Sequence, residues 1–228
     1  MIYLYYIVLL FTLNFCLPKI YKQTDESFVK ITSFDNKFKY FPKQTKWIGF
    51  EEDFYFNLKD LKDFSNLESL ELTSIQWTNL QDMPSLPKLK HLNLRDTGIE
   101  SITKIPNLPN LDILELSNTR IKNLEGIKKF PKLIRLRLDN TKITNLNQIE
   151  YLKELRRLDI RYTDIEDLTP LQSCKKLNEL YVGNTKVKSI KSLYENKELI
   201  YLQVKNLSIP ELEFIEIKTK NPYIKIIF

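Results

Sequence analysis

The body of the chain is too highly charged for a membrane-embedded protein, because 28% of its 228 residues are charged, while a hydrophobic fraction of 43% suffices for a packed core. The net charge of +6 arises from 35 basic and 29 acidic residues with interspersed signs, a distribution that argues against a nucleic-acid-binding surface. One histidine and two cysteines are too few for a clustered metal site, so we expect no bound metal and no cofactor.

Residues 1–15 form an apolar run that only Thr12 and Asn14 interrupt. A membrane span requires roughly 20 apolar residues, whereas the central region of a secretory signal peptide has roughly 7 to 15. The end of the run, Leu13-Asn14-Phe15-Cys16, resembles a bacterial lipobox with Phe15 in place of its small residue, and the resemblance implies lipidation at Cys16. We therefore predict a signal peptide or lipoprotein-type leader over residues 1–17, with an uncleaved anchor or a non-targeting start as alternatives.

An N-terminal cap is predicted over residues 18–44. Its stretch 28–41 is rich in aromatic residues, and Val29-Lys30-Ile31 alternates apolar and polar positions, which is typical of a half-buried strand. A cap is needed because the chain that follows consists of repeats, and an open stack of repeats would expose its core at the first strand. The first of these repeats is degenerate, with Asp53 where later repeats have threonine.

From residue 45 onward the chain follows a 22-residue period without an insertion or deletion. The first apolar position of each unit is a leucine, and these leucines are Leu67, Leu89, Leu111, Leu133, Leu155, Leu177 and Leu199. Five more columns stay apolar from unit to unit, and two of them end on Leu212 and Ile215. Because no unit can bury its apolar face alone, we expect a solenoid whose stability comes from stacking.

Each unit should add one strand to a parallel sheet, at about 4.8 Å from its neighbour. A 22-residue unit leaves no room for a long helix on the return path, so extended turns and short 3-10 segments are expected there. A last strand is predicted over 223–228, with Ile224 and Ile226 one period after Leu202 and Val204. Two further residues fall in apolar columns and are predicted to be buried: Trp77 and Cys174.

The full unit, L-x-x-L-x-L-x-x-T-x-I-x-x-L-x-x-I-x-x-L, resembles the short leucine-rich repeats of internalin-type bacterial surface proteins, and the D-L-T-P-L sequence at 167–171 is similar to their convex turn. The resemblance implies an α/β-type repeat solenoid over residues 45–228, with a parallel β-sheet on the concave face and turns or 3-10 segments on the convex face. That family usually has asparagine where this chain has threonine. A hydroxyl offers one donor where an amide offers two, so the resemblance does not extend to the family's asparagine ladder.

Side chains that flank the inward-facing strand leucines should point outward in three columns. In the first column Arg135 and Arg157 are neighbours of like charge, with Ile113 before them and tyrosines after them. Arginine, tyrosine and an exposed apolar residue together are typical of a binding hot spot. The residues that we predict to bind a partner are Ile113, Arg135, Arg157, Arg161, Tyr181 and Tyr201. A solvated face with chance aromatics is the alternative.

Charges alternate along the second outward column at Glu115, Arg137 and Asp159, which predicts cross-strand ion pairs of at most ~1 kcal/mol each. Catalysis is not expected, because no C-x-x-C, H-E-x-x-H, G-x-S-x-G or P-loop sequence occurs. His91 has no nearby candidate nucleophile of distinctive sequence context and is interpreted as an ordinary exposed polar residue.

The favoured function is therefore non-enzymatic binding of a macromolecule, a protein or a glycan, by an exported or surface-attached module. Its contact with a membrane would be limited to the leader or a lipid anchor. The alternative is an intracellular interaction scaffold, similar to the leucine-rich regulators of protein phosphatases. A third possibility is a recognition domain associated with an enzyme, or an enzyme whose chemistry the sequence does not reveal.

Overall fold

The computed structural model describes residues 27–50, 54–74 and 77–228. The leader predicted over residues 1–17, with Cys16, lies outside this part of the chain, as do Asp53 and the first part of the predicted cap. Within the described ranges no helix is long and apolar enough to cross a membrane.

An antiparallel hairpin precedes the repeats and consists of β1 (Phe28–Thr32) and β2 (Phe38–Pro42). The alternation seen in the sequence buries Val29 and Ile31 on one face of β1. A bridge from Ser33 to Phe56 joins the hairpin to the first repeat, where the Phe50 and Phe56 rings lie 4.3 Å apart. The aromatic residues of this region thus supply apolar contact area at the N-terminal end of the repeat core.

Within the described residues, nine strands form one parallel sheet in which the spatial order follows the sequence order. They are β3 (Trp47–Gly49), β4 (Ser69–Glu71), β5 (His91–Asn93), β6 (Ile113–Glu115), β7 (Arg135–Arg137), β8 (Arg157–Asp159), β9 (Glu179–Tyr181), β10 (Tyr201–Gln203) and β11 (Lys225–Ile227). The middle residue of each strand from β3 to β10 is buried, and its two neighbours flank it on the outer face. From β3 to β10 the register of every pair of strands follows the period of the repeat, as the sequence predicts.

The return paths on the convex side are short 3-10 segments, which confirms the expectation for a unit of this length. Those found in the described residues are Leu58–Asp63, Ile102–Lys104, Ile127–Lys129, Ile149–Tyr151, Thr169–Ser173 and Lys191–Leu193. Between sheet and convex side the apolar columns form one continuous core, in which Cys174 is buried and Trp77 is partly buried. The repeat therefore places its side chains as the sequence indicates.

The last repeat departs from the predicted register. The offset between β10 and β11 exceeds the period of the earlier repeats, so Leu202 lies opposite Ile226 and not opposite Ile224. The return path of this unit is a helix, α1 (Glu211–Lys220), instead of a 3-10 segment. The strand after a longer return path enters the sheet two positions late.

Because of this helix, the prediction that Leu212 and Ile215 lie in the core is wrong. Leu212 and Ile215 are 70% and 55% exposed, whereas Glu213 and Ile217 are buried. Residues four apart share one face of a helix, so the turn of α1 carries position 213 and position 217 to the core side in place of the two apolar residues. Predicting burial by adding 22 residues to each core position therefore fails in this unit, because its return path is helical.

The threonine column satisfies the backbone of its own repeat. Each hydroxyl donates to the carbonyl oxygen three residues earlier, at 2.6–2.8 Å, from Thr97, Thr119, Thr141, Thr163 and Thr185. These bonds occupy carbonyl groups that lie at the end of the strand, where the sheet ladder stops. The threonines thus act within a repeat, and among the described repeats no threonine ladder links one unit to the next.

An amide ladder does link the repeats, one residue before the threonines. This column has a left-handed backbone with φ between 55° and 60° at Ser74, Asp96, Asn118, Asn140, Tyr162, Asn184 and Asn206. Asn118 donates to Asp96 at 2.6 Å, Asn140 to Asn118 at 2.7 Å and Asn206 to Asn184 at 2.7 Å. Asparagine suits both roles, because it tolerates a positive φ and carries a donor and an acceptor. Tyr162 interrupts the ladder.

Candidate functional site

The outward-facing residues of the nine-stranded sheet make up the concave face. Strand pairing places the first column in the predicted order, which is Trp47, Ser69, His91, Ile113, Arg135, Arg157, Glu179 and Tyr201. All six predicted partner-binding residues lie on this face between β6 and β10, and we call them the central patch. Neighbouring strands are about 4.8 Å apart, so the central patch extends over roughly 19 Å across the sheet.

Tyr181 of the central patch contacts Arg157, Arg161, Glu179 and Tyr201, and we call these residues the Tyr181 cluster. Two guanidinium groups contact its ring, that of Arg157 at 4.8 Å and that of Arg161 at 5.4 Å from the ring centroid. Its hydroxyl donates to Glu179 at 2.9 Å, and the same carboxylate pairs with Arg157 at 3.1 Å. Burial and the hydrogen bond to Glu179 raise the pKa of Tyr181, so the ring keeps its hydroxyl proton well above neutral pH.

Two further contacts hold this cluster. The Tyr201 ring lies 5.1 Å from that of Tyr181 at an interplanar angle of 37°. Arg161 binds the buried carboxylate of Asp159 through two nitrogens, at 2.9 and 2.6 Å, and these bonds raise the pKa of Arg161. A paired guanidinium and two packed rings have little rotamer freedom left, so little side-chain entropy is lost when a partner binds here.

Arg135 differs from the other arginines of the central patch. It lies on β7, between Ile113 of β6 and Arg157 of β8, and is partly buried. In the described ranges no hydrogen bond, ion pair or ring contact is made by its guanidinium. The sequence predicts that Arg135 and Arg157 are neighbouring like charges. Glu179 pairs with Arg157, whereas no carboxylate of the described residues pairs with Arg135.

The predicted ion-pair ladder of the second column forms only in part. Arg137 contacts Glu115 across the strands at 3.9 Å. It also contacts Asp139, which follows β7 two residues later in the same chain segment, at 3.4 Å. Asp159 is taken by Arg161 and does not pair with Arg137. The prediction was wrong at Asp159, because residues two apart on one strand are within reach of an arginine side chain just as cross-strand neighbours are.

Gly183, in the third outward-facing column, lies too close to a neighbouring backbone segment for a residue with a Cβ. A Cβ at position 183 would lie 2.9 Å from the backbone carbonyl oxygen of Lys205, which cannot rotate away as the Gln203 side chain can. The Gly183 N–H donates to the Gln203 side chain at 3.0 Å. The amide of Gln203 therefore covers Gly183 and buries it. This contact closes the C-terminal side of the Tyr181 cluster.

His91 is less exposed and better connected than the sequence indicated. Its Nδ1 lies 3.2 Å from the Ser69 hydroxyl, one repeat earlier, and its Nε2 lies 3.9 Å from Glu115, one repeat later. A hydroxyl does therefore lie beside the imidazole, although the local sequence gives no sign of it. The N–H groups of Ser69 and His91 are bound to the carbonyl oxygens of Lys46 and Glu68. Because both N–H groups are engaged, neither is free to stabilise an oxyanion. The Ser69, His91 and Glu115 side chains form a polar row along the sheet.

Tyr162 is an exposed aromatic residue that no sequence pattern singled out. It is 58% exposed and holds a left-handed backbone that disfavours a bulky side chain. Its exposure could have been inferred from its place in the asparagine column, but its conformation could not.

The described residues contain no group of three or more histidine, cysteine, aspartate or glutamate side chains that could hold a metal ion. A surface groove of about 410 Å³ lies at the C-terminal end of the stack, away from the central patch, and is lined by Ile209, Glu211, Phe214, Ile215, Lys218 and Phe228. The concave face itself offers an open surface of arginine, tyrosine and carboxylate side chains.

Known proteins match the chain at the level of fold and family. The structure is similar to internalin C2 of Listeria monocytogenes, with a TM-score of 0.67 and 26% identity over 73% of this chain and 74% of that one. An internalin F of the same species gives 0.58 and 19% over 75% and 56%. A leucine-rich-repeat protein of Leptospira interrogans gives 0.57 and 24% over 75% and 51%, so the chain spans little more than half the length of these two. No curated protein sequence matches.

A family profile described as a leucine-rich repeat region matches residues 50–222, which is most of the chain. The match agrees with the 22-residue period, the parallel sheet and the structural neighbours. The resemblance to internalin-type repeats that the sequence indicated is confirmed. The chain belongs to the leucine-rich-repeat family.

Proposed function

We propose that the protein is a non-enzymatic binding module that holds a partner protein against the central patch of its concave face. The observation that carries the proposal is the Tyr181 ring in contact with the guanidiniums of Arg157 and Arg161 and packed on Tyr201. Tyrosine and arginine dominate binding hot spots, and here they are partly exposed and already ordered. Leucine-rich-repeat proteins are generally binding scaffolds, which supports the same function.

A protein is favoured over a glycan or a nucleic acid as the partner. Each of Arg137, Arg157 and Arg161 is matched by a carboxylate on the same face. A phosphate backbone would need a row of unmatched cations, and the interspersed carboxylates would repel it. A glycan could stack on Tyr181 and Tyr201, so sugar binding is kept as an outcome of the test below.

Export to the cell surface is part of the proposal, and it is supported by the apolar run 1–15 and the lipobox-like sequence at Cys16. Mass spectrometry of the native N-terminus should show cleavage close to Cys16 or a diacylglycerol group on it. An intact Met1 in a cytosolic fraction would instead favour the intracellular scaffold.

Removal of the cluster tests the binding function. The purified protein is immobilised and incubated with extract and surface fractions from its native source, with and without deglycosylation. The variants are Arg157→Ala/Tyr181→Ala and a convex-side control, Glu125→Ala/Lys128→Ala, whose residues are exposed and of opposite charge. Quantitative mass spectrometry measures what each variant retains, and circular dichroism verifies that each is folded.

The concave variant should lose the partner by roughly tenfold or more, because hot-spot truncations cost about 2 kcal/mol or more. The convex control should retain it. Equal retention by all three proteins would overturn the proposal, and a loss after deglycosylation alone would identify a glycan as the partner.

A further inference from the structure

Arg135 occupies the middle of the concave face, and it has no partner among the residues that the structure describes. It lies on β7, the fifth of the nine strands, so four strands lie on each side of it. Arg95, Arg120, Arg137, Arg157 and Arg161 each have a carboxylate within 4.0 Å, and Arg156 donates to Asn178 at 3.5 Å. Of the seven arginines, all of which the structure describes, Arg135 alone makes no such contact.

The carboxylates around Arg135 are all engaged elsewhere. Glu115 and Asp139 contact Arg137, and Asp139 also accepts from the Ser117 hydroxyl at 2.5 Å. Glu179 serves Arg157 and the Tyr181 hydroxyl, while Asp159 is held by two nitrogens of Arg161. The concave centre thus has four guanidiniums and four carboxylates, but Arg137 contacts two of the carboxylates and Arg135 contacts none.

This arrangement is unfavourable in the protein alone. Arg135 and Arg157 are directly opposite each other on neighbouring strands, and like charges in that position destabilise a sheet. Partial burial adds a desolvation cost that no acceptor in the described residues offsets. A carboxylate from outside would offset it, because the planar guanidinium matches a carboxylate through two parallel hydrogen bonds.

From this unpaired, partly buried guanidinium we infer that Arg135 receives an aspartate or glutamate side chain of an acidic segment in the partner protein. The inference rests on the proposed function and names the chemistry of the partner at that site. Ile113, on the other side of Arg135, supplies apolar surface for the methylene groups of such a side chain. A single unmatched cation among four engaged carboxylates fits one carboxylate and not a chain of phosphates.

A displayed library of random dodecapeptides tests the inference, because it requires no identified partner. The library is selected on the wild-type protein, on Arg135→Gln, on Arg135→Glu and on Arg156→Gln. Arg156 is the matched control, since it loses the same charge from an exposed position outside the three concave columns. Deep sequencing measures the content of aspartate and glutamate in the selected peptides.

Acidic peptides should be enriched on the wild-type protein and on Arg156→Gln, lost on Arg135→Gln, and replaced by basic peptides on Arg135→Glu. One selected acidic peptide, measured by fluorescence anisotropy, should bind Arg135→Gln roughly tenfold or more weakly. Equal acidic content on wild type and Arg135→Gln would overturn the inference.

The failure of the inference and that of the proposed function have different signatures. Selected peptides that need Tyr181 and Tyr201 but carry no acidic residue would overturn the role of Arg135 and leave the binding function supported. Peptides that bind all concave variants equally would count against both. Labelled single-stranded RNA is measured in parallel, and RNA that binds through Arg135 more tightly than the acidic peptide would also overturn the inference.

Discussion

Removing the Glu213 carboxylate should loosen the C-terminal end of the solenoid. Glu213 lies in the first turn of α1 and is only 5% exposed. Its carboxylate accepts from the Ile190 N–H at 2.7 Å and from the Ser189 hydroxyl at 2.9 Å. The side chain thus joins the terminal helix to the preceding repeat, and it supplies the acceptor for an N–H in a fully buried residue.

The substitution Glu213→Ala leaves that N–H without an acceptor, which costs about 1–3 kcal/mol. It also removes a negative charge near the helix N-terminus, worth about 0.3–1 kcal/mol. The two losses sum to about 1.3–4 kcal/mol. For a domain of this size each kcal/mol lowers Tm by about 2–4 °C, so Tm should fall by roughly 3–16 °C. Thermal unfolding followed by far-ultraviolet circular dichroism measures the change.

Glu211→Ala is the matched control. Glu211 lies in the same helical turn and is exposed, so its removal changes the net charge and the helix dipole equally but breaks no buried hydrogen bond. Its Tm should fall only by the dipole contribution, about 1–4 °C. An equal fall of Tm in the two variants would refute the role assigned to the Glu213 contact.

Three further predictions concern the core and the charged surface. Leu136→Ala, at a fully buried position in the central strand, should cost about 2–5 kcal/mol in urea unfolding, and a loss near zero would mean that the repeat does not pack as described. Burial raises the pKa of the Cys174 thiol to about 11, so in a Cys16→Ser background it should react with a thiol reagent at pH 8 only after denaturation. The hydrogen bond from Lys90, with a second lysine, lowers the pKa of Glu68 from 4.5 to about 2, so its contribution to stability is present above pH 4.5 and is lost towards pH 2. A carboxyl titration by NMR with a midpoint near 4.5 would contradict this.

The sequence was sufficient for the solenoid because one period controls both the core and the strand register. Leu136, Leu158 and Leu180 are equivalent in every unit, so one alignment fixes which side of each strand is buried. Prediction failed in the last unit, where Leu212 and Ile215 were assigned to the core. Glutamates in the first turn and lysines in the last turn of that segment are typical of a helix and could have indicated the change.

The concave face was predictable as a set of positions but not as a set of contacts. The columns place Arg137, Asp159 and Arg161 correctly, yet Asp159 pairs along its own strand and not across the sheet. Cross-strand and same-strand neighbours both lie within reach of a long side chain, so rotamers and competing carboxylates determine the pairing. The contacts around Tyr181 and the unpaired guanidinium of Arg135 follow from that pairing, which the period does not encode.

Photo-crosslinking tests most directly whether the concave face holds the partner. A photoreactive p-benzoylphenylalanine replaces Tyr201 on the concave face in one variant and Tyr151 on a convex 3-10 segment in another. Both positions have a tyrosine that is at least partly exposed, so the probe is tolerated similarly. We expect a partner adduct at position 201 that is absent at position 151. An adduct at position 151 alone would contradict binding on the concave face.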